Sequence, residues 1–175
     1  MDRKIIWTVN ALLHRARGMK VGMPSYIGPT VYVSPRRAIR IGKRVRIWPG
    51  LRIEAYNDAK ITIEDDVVIG QFCHIIAAED LTISSGCVFA GMNFISNVNH
   101  AVREMEKGVF DRPWDIRSTK IGKRVFCGLG AKLLPGTELA DNCVVGANAV
   151  VSALKVEEQS IIVGVPAKVV RKIVE

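Results

Sequence analysis

The sequence predicts an all-β solenoid, a prism of stacked triangular coils, about six in number. Three observations carry that prediction. Large aliphatic residues recur every sixth position, at Ile41, Ile47, Ile53 and again at Ile63, Ile69, Ile75. A helix does not repeat at six, whereas a short strand plus a tight turn does, and three such units close one coil. The residue after each large aliphatic is often small, as at Gly28, Gly42, Gly70, Ala90, Gly122, Gly128, Ala140 and Gly146. Finally, 49% of the 175 residues are hydrophobic but only 6% are aromatic, so branched aliphatics dominate, as strands favour.

In chain order, residues 1–20 form an amphipathic segment. Ile5, Ile6, Val9, Leu12 and Leu13 lie at helical spacing among Arg3, Lys4, Arg15 and Arg17. The segment reads first as a cap over the open end of the prism or as packing between subunits. A second reading is a helix in peripheral contact with a membrane. Residues 21–165 carry the solenoid. Its coils start from Ile27, Val33 and Ile39 and continue through Ile83, Phe89 and Ile95. After a break they resume with Ile121, Cys127, Leu133 and then Leu139, Val145, Val151. A second inward position falls at Val31, Val45, Cys73, Cys87, Val125, Ala131, Thr137, Cys143 and Ala149. Residues 97–118 are an inserted loop. Residues 166–175 form a basic tail, expected as a short helix after Pro166.

The four cysteines fit those inward positions, which makes them packed thiols; they show no metal-ligand spacing. The net charge of +8 would suit an anionic partner. The basic residues are nevertheless scattered along the chain and no nucleic-acid-binding motif is present, so no nucleic-acid partner is expected. No apolar run approaches the roughly 20 residues of a membrane span. No secretory pattern opens the chain, and the expected location is cytoplasmic.

The hexads, together with the tail "IIVGVPAKVVRKI" at residues 161–173, resemble the hexapeptide-repeat acyltransferases. The resemblance covers most of residues 26–170. It implies a left-handed parallel β-helix, a homotrimer with sites between subunits, and acetyl-CoA as co-substrate without a required metal. In the galactoside and maltose O-acetyltransferase branch a catalytic histidine opens a loop that precedes a coil of the form I-G-x-x-V-aromatic. Here His100 precedes "IGKRVF" at 121–126, with Ala101 where relatives commonly carry proline. His100 is thus the expected general base.

The residue type suits the chemistry. A sugar hydroxyl attacks a thioester poorly, and an imidazole with a pKa of about 6.5 can take its proton during attack. A backbone carbonyl or Glu104 is expected to hold the second ring nitrogen. His14 and His74 are expected on the surface, His74 in an outward turn. By resemblance, Phe126, Gly128, Leu129, Ala147 and Ser152 would contact coenzyme A, and Lys168 and Arg171 would meet its phosphates. Asn99, Trp114, Glu79 and Asp80 are the candidates for acceptor binding. The implied activity is acetyl transfer to a hydroxyl of a sugar or polysaccharide precursor. An N-acetyltransferase acting on an amino sugar or sugar nucleotide is the alternative, and a non-catalytic scaffold is a second. A zinc enzyme on the same prism would need three metal-binding histidines, a set that His14, His74 and His100 cannot supply.

Overall fold

The computed structural model describes residues 2–103 and 106–173. It is a parallel β-solenoid of about seven turns, with one N-terminal helix, consistent with the left-handed prism. The hexads become three faces. On the first face Val21, Ile41, Ile63, Ile83, Ile121, Leu139 and Val156 stand in register. Ile27, Ile47, Ile69, Phe89, Cys127, Val145 and Ile162 form the second column. Val33, Ile53, Ile75, Ile95, Leu133 and Val151 form the third. All of these side chains are buried, and together they make one continuous core. Stacking identical positions therefore turns a sequence period into a hydrophobic column.

Two coil assignments differ from the sequence reading. Ile39 is not a third-face residue. It pairs with Ile61 on the first face, two positions before Ile41. The first coil begins instead at Val21, and Val156 with Ile162 adds a seventh coil. The shift arises at the corner between third and first faces, where early coils carry extra residues outside the hexad beat, such as the 3-10 turn Arg36–Ala38. The period alone does not say on which side of such an insertion the face changes. Val31 also departs: it is 68% exposed, because no coil lies beneath the first one.

The cysteines are buried as expected. Burial pushes the Cys73 and Cys87 thiols up to about 11, so the thiolate needed for nucleophilic chemistry is suppressed. The small residues after the aliphatics serve close approach rather than unusual backbone. Left-handed conformations instead occur at turn residues such as Arg44, Asp66, Arg124 and Asn142.

A solenoid exposes unpaired backbone at both ends. At the lower end the helix Arg3–Ala16, which we label α1, lies against the first coil. Asn10 Nδ2 donates to the carbonyls of Ile27 and Gly28, at 2.9 Å each. Ala11 and His14 are buried with it, contrary to the surface position expected for His14. Burial and the nearby cations Arg36 and Arg17 hold the His14 pKa below its ordinary value. At the upper end the tail is not a helix. Ala167–Lys172 is a strand, antiparallel to Ser160–Gly164. The last coil leaves that edge open, and β-branched Val169 and Val170 suit the strand that closes it.

Candidate active site

The inserted segment leaves the prism at the corner after the third face of the fourth coil. Its exit is fixed by buried polar groups. Asn97 is fully buried; its Oδ1 accepts from the Ala78 amide at 2.9 Å and its Nδ2 donates to the Glu79 carbonyl at 2.7 Å. Thr119 Oγ1 donates to the Ser96 carbonyl at 2.8 Å. Between these anchors, Val98–His100 and Trp114–Ile116 pair antiparallel, with His100 opposite Trp114 and Asn99 opposite Asp115. Backbone pairing thus makes a hairpin arm of what reads in sequence as a loop. His100 is accordingly held on a strand.

His100 lines a pocket of about 320 Å³ with Tyr56, Ile76, Val98, Asn99, Phe110 and Trp114. Its ring stands edge-on to Phe110, with centroids 6.1 Å apart. Trp114 packs edge-on against Tyr56 at 5.2 Å. Among the described residues, enclosed His100 Nδ1 finds no hydrogen-bond partner. The backbone carbonyl expected to hold the ring is therefore not seen at that atom, and Glu104, the other expected holder, lies outside the described residues. An enclosed imidazole nitrogen without a partner is costly unless something else engages it.

Beneath Tyr56 lies a charged group that sequence reading missed. Glu54 is 3% exposed. Its carboxylate accepts from Arg52 Nε, from Tyr56 OH at 2.8 Å, and meets His74 Nε2 at 2.9 Å. The Arg52 hydrogen bond, helped by those from Tyr56 and His74, outweighs burial and holds the Glu54 pKa down at about 2. His74 thus sits on the strand His74–Ala77, half-buried, rather than in an exposed turn. The available signal was the run Arg52, Glu54, Tyr56, polar at strand period two with His74 in register with Arg52.

This ion has a testable consequence. A carboxylate with a depressed folded pKa contributes stability above its unfolded value, and that contribution is lost as pH falls through the folded one. Glu54 should therefore add little pH dependence above about pH 5 and a falling stability between pH 4.5 and about 2. In Glu54→Gln that acid slope should shrink by on the order of 2 kcal/mol, read from denaturant midpoints across that range. An unchanged slope would show that the depressed pKa is not realised.

The other sequence candidates fall into separate places. Glu79 and Asp80 are exposed at the corner below the arm and do not line the His100 pocket. Asp80 Oδ1 instead accepts from the Lys60 amide at 2.7 Å, a turn-bracing role. Phe126, Gly128, Leu129 and Ala147 cluster on the second face and at the corner that follows it in the fifth and sixth coils. Phe126 and Leu129 are 45% and 49% exposed there. A Cβ on Gly128 would lie 2.6 Å from the Ala147 nitrogen, so coil stacking alone accounts for that glycine. Lys168 and Arg171 are exposed on the closing strand above the second face. Ser152 is exposed beyond the far end of the third face, apart from the cluster. Among the described residues no group of three metal-ligating side chains occurs.

Residues 118–153 match the family model described as the hexapeptide repeat of succinyl-transferase. The chain is 32% identical to WbbJ of Escherichia coli K12, named as a lipopolysaccharide biosynthesis O-acetyl transferase, over 81% of this chain and 75% of that protein. Among solved structures it is similar to AntD, an N-acyltransferase from Bacillus cereus in complex with dTDP and 3-hydroxybutyryl-CoA. The TM-score is 0.73 at 17% identity, covering 93% of this chain and 87% of that one. A galactoside acetyltransferase in complex with coenzyme A gives 0.56 at 19% identity, covering 98% and 83%.

Proposed function

The chain is an acetyltransferase of the hexapeptide-repeat family, and on that premise we propose that it moves an acetyl group from acetyl-CoA to a hydroxyl of a sugar or glycan precursor. The placement of His100 on the hairpin strand, in a pocket walled by aromatic rings, carries the proposal. In a ternary complex the imidazole takes the acceptor proton as the oxygen attacks the thioester carbonyl. The O–C bond forms, the C–S bond breaks, and the proton passes from imidazolium to the departing CoA thiolate. Trp114, Tyr56 and Phe110 offer the apolar faces on which a sugar ring stacks, and Asn99 adds a polar contact.

Coenzyme A would lie along Phe126, Leu129 and Ala147, its phosphates toward Lys168 and Arg171. In a single chain that cluster and the His100 arm leave the prism at different corners. A cyclic trimer would set the corner of one subunit against the arm of the next and so assemble the site. The supporting observation is this separation of the two candidate half-sites.

The test is release of free thiol from acetyl-CoA over a panel of sugars and amino sugars, with the product examined for hydroxylamine-labile ester. Ester formation on hydroxyl acceptors supports the proposal. Amide formation on amino sugars alone would replace it with N-acetylation, and turnover on neither class would leave a scaffold.

A further inference from the structure

Helix α1 is mounted on a mixed face of Asn10, Ala11 and His14, and Trp7 beside it stands edge-on to Trp48 at 5.4 Å. The Arg3 guanidinium covers both of those rings. The apolar stripe that would serve a cap points the other way: Ile5, Ile6, Val9, Leu12 and Leu13 are each between 42% and 55% exposed. A contiguous apolar stripe turned outward on a surface helix marks a docking surface.

Charge identifies the partner. The scatter of basic residues conceals a polarity. From Arg3 to Ile53 there is no Asp or Glu, and twelve of the 25 Lys and Arg fall there. Arg44 and Arg52 of these are ion-paired with Asp66 and Glu54, and Asp2 caps the helix, so the excess rests on the remaining cations. Lys4, Arg15, Arg17 and Lys20 are exposed on and beside the helix. We propose that this end of the prism docks on an anionic lipid surface. The helix lies in the plane of the interface, with the five apolar side chains among the upper acyl chains and the flanking cations on lipid phosphates. Isologous pairing of this face with its own copy would bring like charges together. Heterologous packing inside a trimer is the rival occupant, and the oligomeric mass of the variant below separates it from lipid. The helix has 14 residues, and no helix among the described residues is long and apolar enough to cross a membrane.

The inference is independent of the acyl-transfer reading and is tested without it. The full chain would be floated with vesicles of neutral phosphatidylcholine and with vesicles that also contain phosphatidylglycerol. Binding to the anionic vesicles should exceed binding to neutral ones by at least about tenfold and weaken as salt rises. The double substitution Val9→Asp with Leu13→Asp should reduce binding by about tenfold or more, with circular dichroism and mass by light scattering unchanged. Lys4→Glu with Arg15→Glu should weaken anionic-vesicle binding while leaving neutral-vesicle binding as it is. Equal partitioning onto both vesicle types, or none, overturns the proposal. So does a loss of oligomeric mass in the Asp variant, which would assign the stripe to subunit packing.

Discussion

His100→Ala is expected to lower kcat for acetyl transfer by about 10²–10⁴-fold, the span that one positioned general base supplies. The loss should appear without a loss of fold. His100 belongs to the hairpin arm, outside the columns of buried aliphatics that hold the prism together. Thermal melting of the variant should therefore match the parent, and its affinity for CoA should be preserved. The measurement is thiol release at saturating acetyl-CoA, read beside a melt and a CoA titration. Unchanged turnover would remove His100 from the chemistry. A parallel fall in CoA affinity would make its role one of binding, since a base acts on the acceptor proton and not on the nucleotide.

Gly70→Ala should have the largest effect on stability. A Cβ there would lie 2.5 Å from both the Ala90 carbonyl carbon and the Gly91 nitrogen. Both obstacles are backbone, and the Gly70 amide donates to the Phe89 carbonyl at 2.8 Å, which fixes the spacing between coils. No side chain can rotate away, so the coils must separate and shorten no other contact in return. A loss of about 3 kcal/mol or more follows, read as a fall in denaturant midpoint at unchanged slope. Gly108→Ala is the control. Its Cβ would meet only the Asp111 side chain, at 3.1 Å, and its cost should stay within about 0.5 kcal/mol. Equal effects at both glycines would mean that the stacking geometry does not constrain position 70.

Much of this molecule is legible in its residues. The hexads dictate three faces because each inward aliphatic is buried by its own equivalents one coil above and below, so the pattern is its own partner. The break in rhythm around His100 is equally visible, since residues 97–118 cannot fill a prism position. The pocket is harder to read. Tyr56 and Ile76 come from earlier coils and Phe110 from the arm itself. Their meeting depends on how the hairpin folds back, which no local period encodes. Glu54 was overlooked for a related reason. It reads as an ordinary outward strand residue until Arg52, Tyr56 and His74 are seen to converge on it.

The two ends draw the line most clearly. Residue pattern is enough to show that α1 is amphipathic and that the tail is basic and follows the last coil. Which side of α1 faces the prism, and whether the tail is helix or strand, emerge only from the packed fold. Both choices are set by unpaired backbone at the ends of a finite stack. The first coil presents carbonyls that Asn10 can reach, so the side carrying Asn10, Ala11 and His14 turns in and the larger apolar stripe turns out. The last coil presents an open strand edge, so residues 167–172 extend and pair with it. Such groups have no period, because each end occurs once, and their demands are met by whichever neighbouring segment the completed fold brings against them.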